Sequence, residues 1–178
     1  NSRIRDNNVT LNAVGIMLYL SSNNTVFGNS AIHNTHGIYL VFSNHNKVSG
    51  NMVRWSNMHG IWLSNSSNDN LIYGNNVTLN GYGISLYWSS NYNSISGNIV
   101  DDHVHGIWLN TSSNNFIYHN SFVDNSEQAY SDNSINIWDD GYPSGGNYWS
   151  DYTGVDANMD GIGDSPYEIN SNNIDPVS

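Results

Sequence analysis

Three groups of side chains in this 178-residue chain have the composition for chemistry. The first is the run Asp156-Ala157-Asn158-Met159-Asp160-Gly161-Ile162-Gly163-Asp164. Oxygen-bearing side chains at alternate positions, then a glycine that permits a sharp turn, are what Ca²⁺ requires. Asp156, Asn158, Asp160 and Asp164 are the expected ligands, with the Ile162 carbonyl beside them, and a structural Ca²⁺ there would hold the end of the chain closed. The run departs from an EF-hand, because Tyr167 stands where the closing glutamate belongs and Glu168 follows it. The second group is His36, His59 and His105, each placed before a recurring Gly-Ile, with Val14 and Tyr82 in the matching places. Imidazole suits copper or zinc, and two such neighbours could share an ion; the plainer reading is a half-exposed corner where His and Tyr rings stack. The third is Asp101-Asp102-His103, an acid and base set. A lyase or epimerase on acidic sugars also needs a cation for the substrate carboxylate. Only Arg3, Arg5, Lys47 and Arg54 are basic, all far from that set, so no enzyme is expected. Hydrolysis by paired carboxylates stays open in geometry.

Other residues suit binding. Tyr39, Trp62 and Trp108 share an outward position with Met17 and Ser85, while Tyr73 and Tyr118 stand on another face. Aromatic rows stack on sugar rings or bury themselves against protein. Asn8, Asn23, Asn65, Asn76 and Asn110 head N-glycosylation sequons, a modest signal in a chain with 33 asparagines.

Apart from the 156–164 run, these residues hang on one repeat. Gly15-Ile16-Met17-Leu18 returns at Gly37, Gly60, Gly83 and Gly106, spaced 22 and then 23 residues apart. Between the copies an apolar residue leads to an asparagine: Val26 to Asn29, Val48 to Asn51, Ile72 to Asn75, Ile95 to Asn98, Ile117 to Asn120. Ile4 to Asn7 is a worn copy. A period in this range marks a solenoid. Ile61 in, Trp62 out, Leu63 in is the strand alternation, and no segment carries a capped helical stripe. The expected fold is all-β, a parallel β-helix solenoid of about six rungs of 22–24 residues over 1–125, with an aromatic, Ca-binding-like cap over 126–178. Asn29, Asn51, Asn75, Asn98 and Asn120, and separately Asn24, Asn46, Asn70, Asn93 and Asn115, are expected to form inward amide ladders. The cap shields the last rung's apolar face and strand edges; no such cap is visible at the start, which reads as a processed or trimmed chain.

Charge is unevenly placed. Arg3, Arg5, Lys47 and Arg54 against Asp6 and Asp69 leave residues 1–100 at +2, while residues 101–178 hold thirteen acids and no Lys or Arg. The net −11 argues against nucleic acid as a partner. No apolar run approaches the length of a membrane span, and without cysteine neither disulfides nor thiolate zinc sites form.

The Gly-Ile-x-Leu and Gly-Asn repeats, with the tail Gly141-Tyr-Pro-Ser-Gly-Gly-Asn-Tyr-Trp-Ser-Asp-Tyr-Thr-Gly154 and the run Asp156 to Ile169, resemble the NosD-type parallel β-helix repeat family, abundant in archaeal secreted and cell-surface proteins. The resemblance implies a right-handed coil. It also implies either a periplasmic accessory role in copper-enzyme maturation or, from related repeats, polysaccharide lyases and epimerases. Because the repeat commits nearly every recurrent residue to stacking, the expectation is a secreted, non-enzymatic structural protein of a surface layer, sheath or extracellular filament. It would self-associate head to tail or laterally. A carbohydrate-binding or carbohydrate-cleaving module is the alternative, and a copper or other metal accessory the third.

Overall fold

The computed structural model describes residues 1–176, and among them are strands, turns and no helix. Each coil has two three-residue strands and one six-residue strand; in the second coil these are Thr25–Phe27, Ser30–Ile32 and His36–Val41. Stacked coils form three parallel sheets. The first sheet runs from Arg3–Arg5 to Phe116–Tyr118, the second from Asn8–Thr10 to Tyr148–Trp149, and the third from Val14–Tyr19 to Glu127–Asp132. The chain is thus an all-β parallel solenoid of six coils. Pairing continues past Asn125, where the repeat phrase fails: Ala129 lies opposite Ile107 and Tyr130 opposite Trp108.

The alternation expected of strands sets the core. Ile38, Ile61, Ile84 and Ile107 form one inward column, and Leu40, Leu63, Leu86 and Leu109 another, all fully buried. Each such side chain contributes about 1.5–3 kcal/mol relative to exposure. In the second sheet Ala31, Val53, Val77 and Val100 give way to Phe122, on which Trp149 stacks at 4.6 Å and Tyr167 at a further 4.3 Å. Growing side-chain size therefore closes the end of the core. An antiparallel hairpin, Tyr167–Asn170 with Asn173–Asp175, lies over it.

The asparagine columns point inward. Asn98 Oδ1 accepts the backbone N–H of Asn75 at 3.0 Å and its Nδ2 at 2.9 Å, while Asn98 Nδ2 donates to Ile72 O and to Asn120 Oδ1. That column continues through Asn147 and ends on the Asp175 carboxylate, which also accepts Trp149 Nε1 at 3.0 Å. The other runs through Asn115 and Asn136 to Asn173. A serine column, unread in the sequence, does the same at a third corner: Ser21 N–H to Ser43, Ser43 to Ser67, Ser90 to Ser112 and Ser112 to Ser134.

Candidate functional site

Outward positions of the six-residue strands bring histidines and aromatics together on the third sheet. His36 and His59 stack at 5.3 Å, His59 and Tyr82 at 5.0 Å, and Tyr82 and His105 at 5.6 Å. Tyr39 and Trp62 stack at 4.0 Å and 6°. Rings stacked between successive coils turn their faces to one another and only their edges to solvent. Tyr39, Trp62 and Trp108 stand at the outward positions expected of them and are half-buried among their neighbours. Ser85 is fully buried between the two tryptophans, its Oγ 2.8 Å from His59 Nδ1. Burial raises the Tyr87 hydroxyl above its ordinary pKa and keeps it protonated, and burial lowers His36. Burial, with the nearby His36 charge, takes His59 down to about 4.

The histidine column does not chelate as folded. Metal–nitrogen bonds are about 2 Å and lie in the ring plane, whereas parallel rings 5.3 Å apart aim their lone pairs side by side. His105 Nδ1 is 2.8 Å from Glu127 Oε2 instead. Among the described residues no group of three or more His, Cys, Asp or Glu gathers around a common point. A resident copper ion does not fit these residues. In the 156–164 loop, the Asp156 carboxylate accepts the N–H of Asp160 and Gly161, and Asp164 accepts that of Ala157. Asn158 Oδ1 accepts the Asp160 N–H, Asp160 Oδ1 accepts the Ile162 N–H, and the loop is solvent-exposed over most of its length. Its oxygens are engaged with its own backbone.

His103 is separated from the acid pair it was grouped with. It is buried at 4% exposure in an inward column between Asn80 and Asn125. Its Nδ1 accepts the Asn80 N–H at 3.0 Å, and its Nε2–H donates to Val77 O at 3.0 Å. These are the bonds an asparagine makes there, since Asn80 Nδ2 donates to Val53 O and Asn125 Nδ2 to Val100 O. Both ring nitrogens are occupied, so His103 is not available as the base of the Asp101-Asp102-His103 set. His103→Asn is expected to change stability by less than about 1 kcal/mol in urea unfolding, and His103→Ala to cost about 3 kcal/mol through unpaired backbone groups.

Burial lowers His36, His59 and His103 alike. The unfolded chain takes up these protons near pH 6.5 and the folded chain only below it, so acid favours unfolding. Stability should be level above about pH 6.5 and fall as pH drops below it. His59 alone accounts for about 3 kcal/mol once pH reaches 4; denaturant midpoints measured from pH 8 to pH 4 check this.

The first sheet's outward face is built differently. Register places Arg5, Phe27, Ser49, Tyr73, Ser96 and Tyr118 in one column, and Arg3, Thr25 and Lys47 in the next. Aromatics thus recur at every second coil, about 10 Å apart, with serines between them that leave the rings unstacked. Phe27 lies over Gly50, its Cε2 3.2 Å from where a Cβ would be. Phe27 and Tyr73 are 48% and 43% exposed. Tyr73 and Tyr118 were legible in the sequence; Phe27 and its cationic neighbours were missed, although the spacing of 22–24 residues carried the signal. Of the sequon asparagines, Asn8, Asn23 and Asn76 are exposed, while Asn65 and Asn110 are partly covered.

The family model described as periplasmic copper-binding protein (NosD) matches residues 1–154. The probable ABC transporter binding protein NosD of Stutzerimonas stutzeri is 49% identical over 55 residues, 30% of this chain and 12% of that protein. Two crystal structures of mutants of the periplasmic alginate epimerase AlgG superpose with TM-scores of 0.67 and 0.65 at 25% and 26% identity. They cover 73% and 71% of this chain, which spans about a third of their length, 33% and 32%. These matches overturn the expected role as a building block of a surface layer, sheath or filament: they are to a copper-binding family, a transporter-associated binding protein and an epimerase. Among the described residues no helix is long and apolar enough to cross a membrane. With the repeat, the six-coil solenoid and a match over residues 1–154 in agreement, the chain belongs to the NosD family.

Proposed function

We propose that this chain is a non-catalytic, glycan-binding β-helix segment of a protein working outside the cytoplasm, and that an extended saccharide lies along the first sheet. The observation that carries this is the column Phe27, Tyr73 and Tyr118, with rings at every second coil and serines between. Pyranose rings stack on such faces, and two coil rises accommodate a short stretch of an extended chain. The likeness to a polysaccharide-modifying enzyme supports a saccharide ligand. The loss of His103 to the core column supports binding without catalysis. On a glycan array the chain should retain a subset of extended glycans, and Tyr73→Ala should weaken retention about tenfold, the equivalent of about 1.4 kcal/mol. Release of unsaturated products, followed by absorbance, should stay at background. Retention unaffected by Tyr73→Ala, or clear lyase activity, would sink the proposal.

Copper handling is the second reading, favoured by the description of the family. Anaerobic titration with Cu(I) and Cu(II) tests it. The stacked geometry of His36 and His59 leads us to expect no stoichiometric tight site, and a tight site lost in His36→Ala and His59→Ala would favour copper instead.

A further inference from the structure

Resting on the glycan reading, we infer that the ligand of the first sheet is an anionic glycan, held by Arg3, Arg5 and Lys47 around Phe27. Three of the four basic side chains of the whole protein line one groove with Thr25 and Phe27, a cavity of about 340 Å³. They come from two coils that are not adjacent: Arg3 pairs with Thr25 and Thr25 with Lys47, so the cations stand one coil to each side of the ring's own coil.

The cations are available. Arg3, Arg5 and Lys47 are exposed, and the closest acid, Asp6, sits 3.9 Å from Arg5 Nε, a loose surface pair. Arg54, the remaining cation, lies over the Trp55 ring at 4.2 Å and belongs to a different corner. The third sheet makes a useful contrast. Its outward strand positions carry no Lys or Arg and end in Glu127 and Asp132, so a polyanion is repelled there. The thirteen acids beyond residue 100 leave the first coils as the one stretch with a positive balance. An anion is therefore guided to the end of the first sheet where the ring row begins.

Carboxylates or sulfates carried on a sugar chain satisfy both halves of this surface. The pyranose faces stack on Phe27 and Tyr73, and the anionic substituents reach the guanidinium and ammonium groups. An uncharged sugar uses only the rings, and a free small anion only the cations.

Titration calorimetry on the whole chain separates these cases with three oligosaccharides of equal length: an alginate-derived oligouronate, a sulfated oligosaccharide and an uncharged β-1,4-linked one. The anionic sugars should bind at least tenfold more tightly than the uncharged one at low salt and lose most of that advantage near 0.5 M salt. The double variant Arg3→Gln, Lys47→Gln should remove the advantage and leave uncharged binding unchanged. Tyr73→Ala should weaken both classes. All three side chains are exposed, and melting curves confirm that the variants fold. Equal binding of charged and uncharged sugars, or indifference to the double variant, overturns the anionic assignment and leaves the glycan reading standing. Failure of every oligosaccharide to bind overturns both. If sulfated but not uronate chains bind, the anion is a sulfate.

Discussion

Asn98→Ala is expected to lower the unfolding free energy by about 3–5 kcal/mol. Asn98 is 1% exposed and its side chain bonds in several directions at once. Its Oδ1 receives the main-chain and side-chain N–H of Asn75, and its Nδ2 supplies Ile72 O and Asn120 Oδ1. Removing it leaves the two Asn75 N–H donors and the Ile72 carbonyl of the preceding coil without this partner, in a place water does not reach. The cost exceeds that of an ordinary hydrogen bond because unpaired buried groups carry the full desolvation penalty. Asn98→Asp should be nearly as damaging, since a carboxylate has no donor for Ile72 O and brings a charge into the column. Urea unfolding followed by circular dichroism measures the loss. A change under 1 kcal/mol would show that the columns are decoration on a core held by its aliphatic residues.

The second large effect belongs to the glycine of the repeat phrase. A Cβ on Gly60 would stand 2.6 Å from Val77 Cγ1, 2.7 Å from Gly83 O and 3.0 Å from Asn80 Nδ2. All three belong to the next coil, and two of them are fixed, one as main chain and one as an amide held in a column. Nothing soft is available to yield, so Gly60→Ala should cost about 3 kcal/mol by overpacking. Gly74 supplies the control. Its φ of +61° is left-handed and a Cβ there meets nothing within 4 Å. Gly74→Asn should therefore cost no more than about 1 kcal/mol, as Asp6 and His119 already hold matching corners at φ 57° and 55°. Equal costs at the two sites, read from thermal midpoints, would refute the distinction between crowding and backbone strain.

Both predictions bear on function through stiffness. A row of rings at every second coil selects an extended ligand only if the coils keep their rise, and the amide columns hold that rise. The unbinding of a ladder near Asn75 or Asn98 would displace Tyr73 from Tyr118 along the same sheet. In the proposed glycan binding, stability and recognition are thus coupled by the columns lying under the first sheet.

The sequence read alone determined more of the coil than of the site. A phrase returning every 22 or 23 residues decides which residues become neighbours, because each lap must rejoin the sheet at the same point. From that follow the inward apolar columns, the amide ladders and the membership of Tyr39, Trp62 and Trp108 in one row. Several further features obeyed the same spacing and went unread: the serine column from Ser21, the place of His103 between Asn80 and Asn125, and Phe27 below Tyr73. His103 was paired with Asp101 and Asp102 because it adjoins them in the chain, whereas its hydrogen-bond partners lie 23 and 26 residues away.

What only the tertiary structure decided was orientation and company. Periodicity places His36 above His59, but whether two imidazoles converge on an ion or lie flat against each other depends on Trp62, Tyr82 and Ser85 crowding around them. Likewise, Tyr39 and Tyr73 are both outward aromatics in the sequence. One is stacked at 4.0 Å on a tryptophan of the next coil, and the other stands free because serines occupy the coils on either side. Exposure of a ring is set by what the neighbouring lap carries, and the gathering of Arg3, Arg5 and Lys47 around Phe27 arises only when the coils are stacked in register.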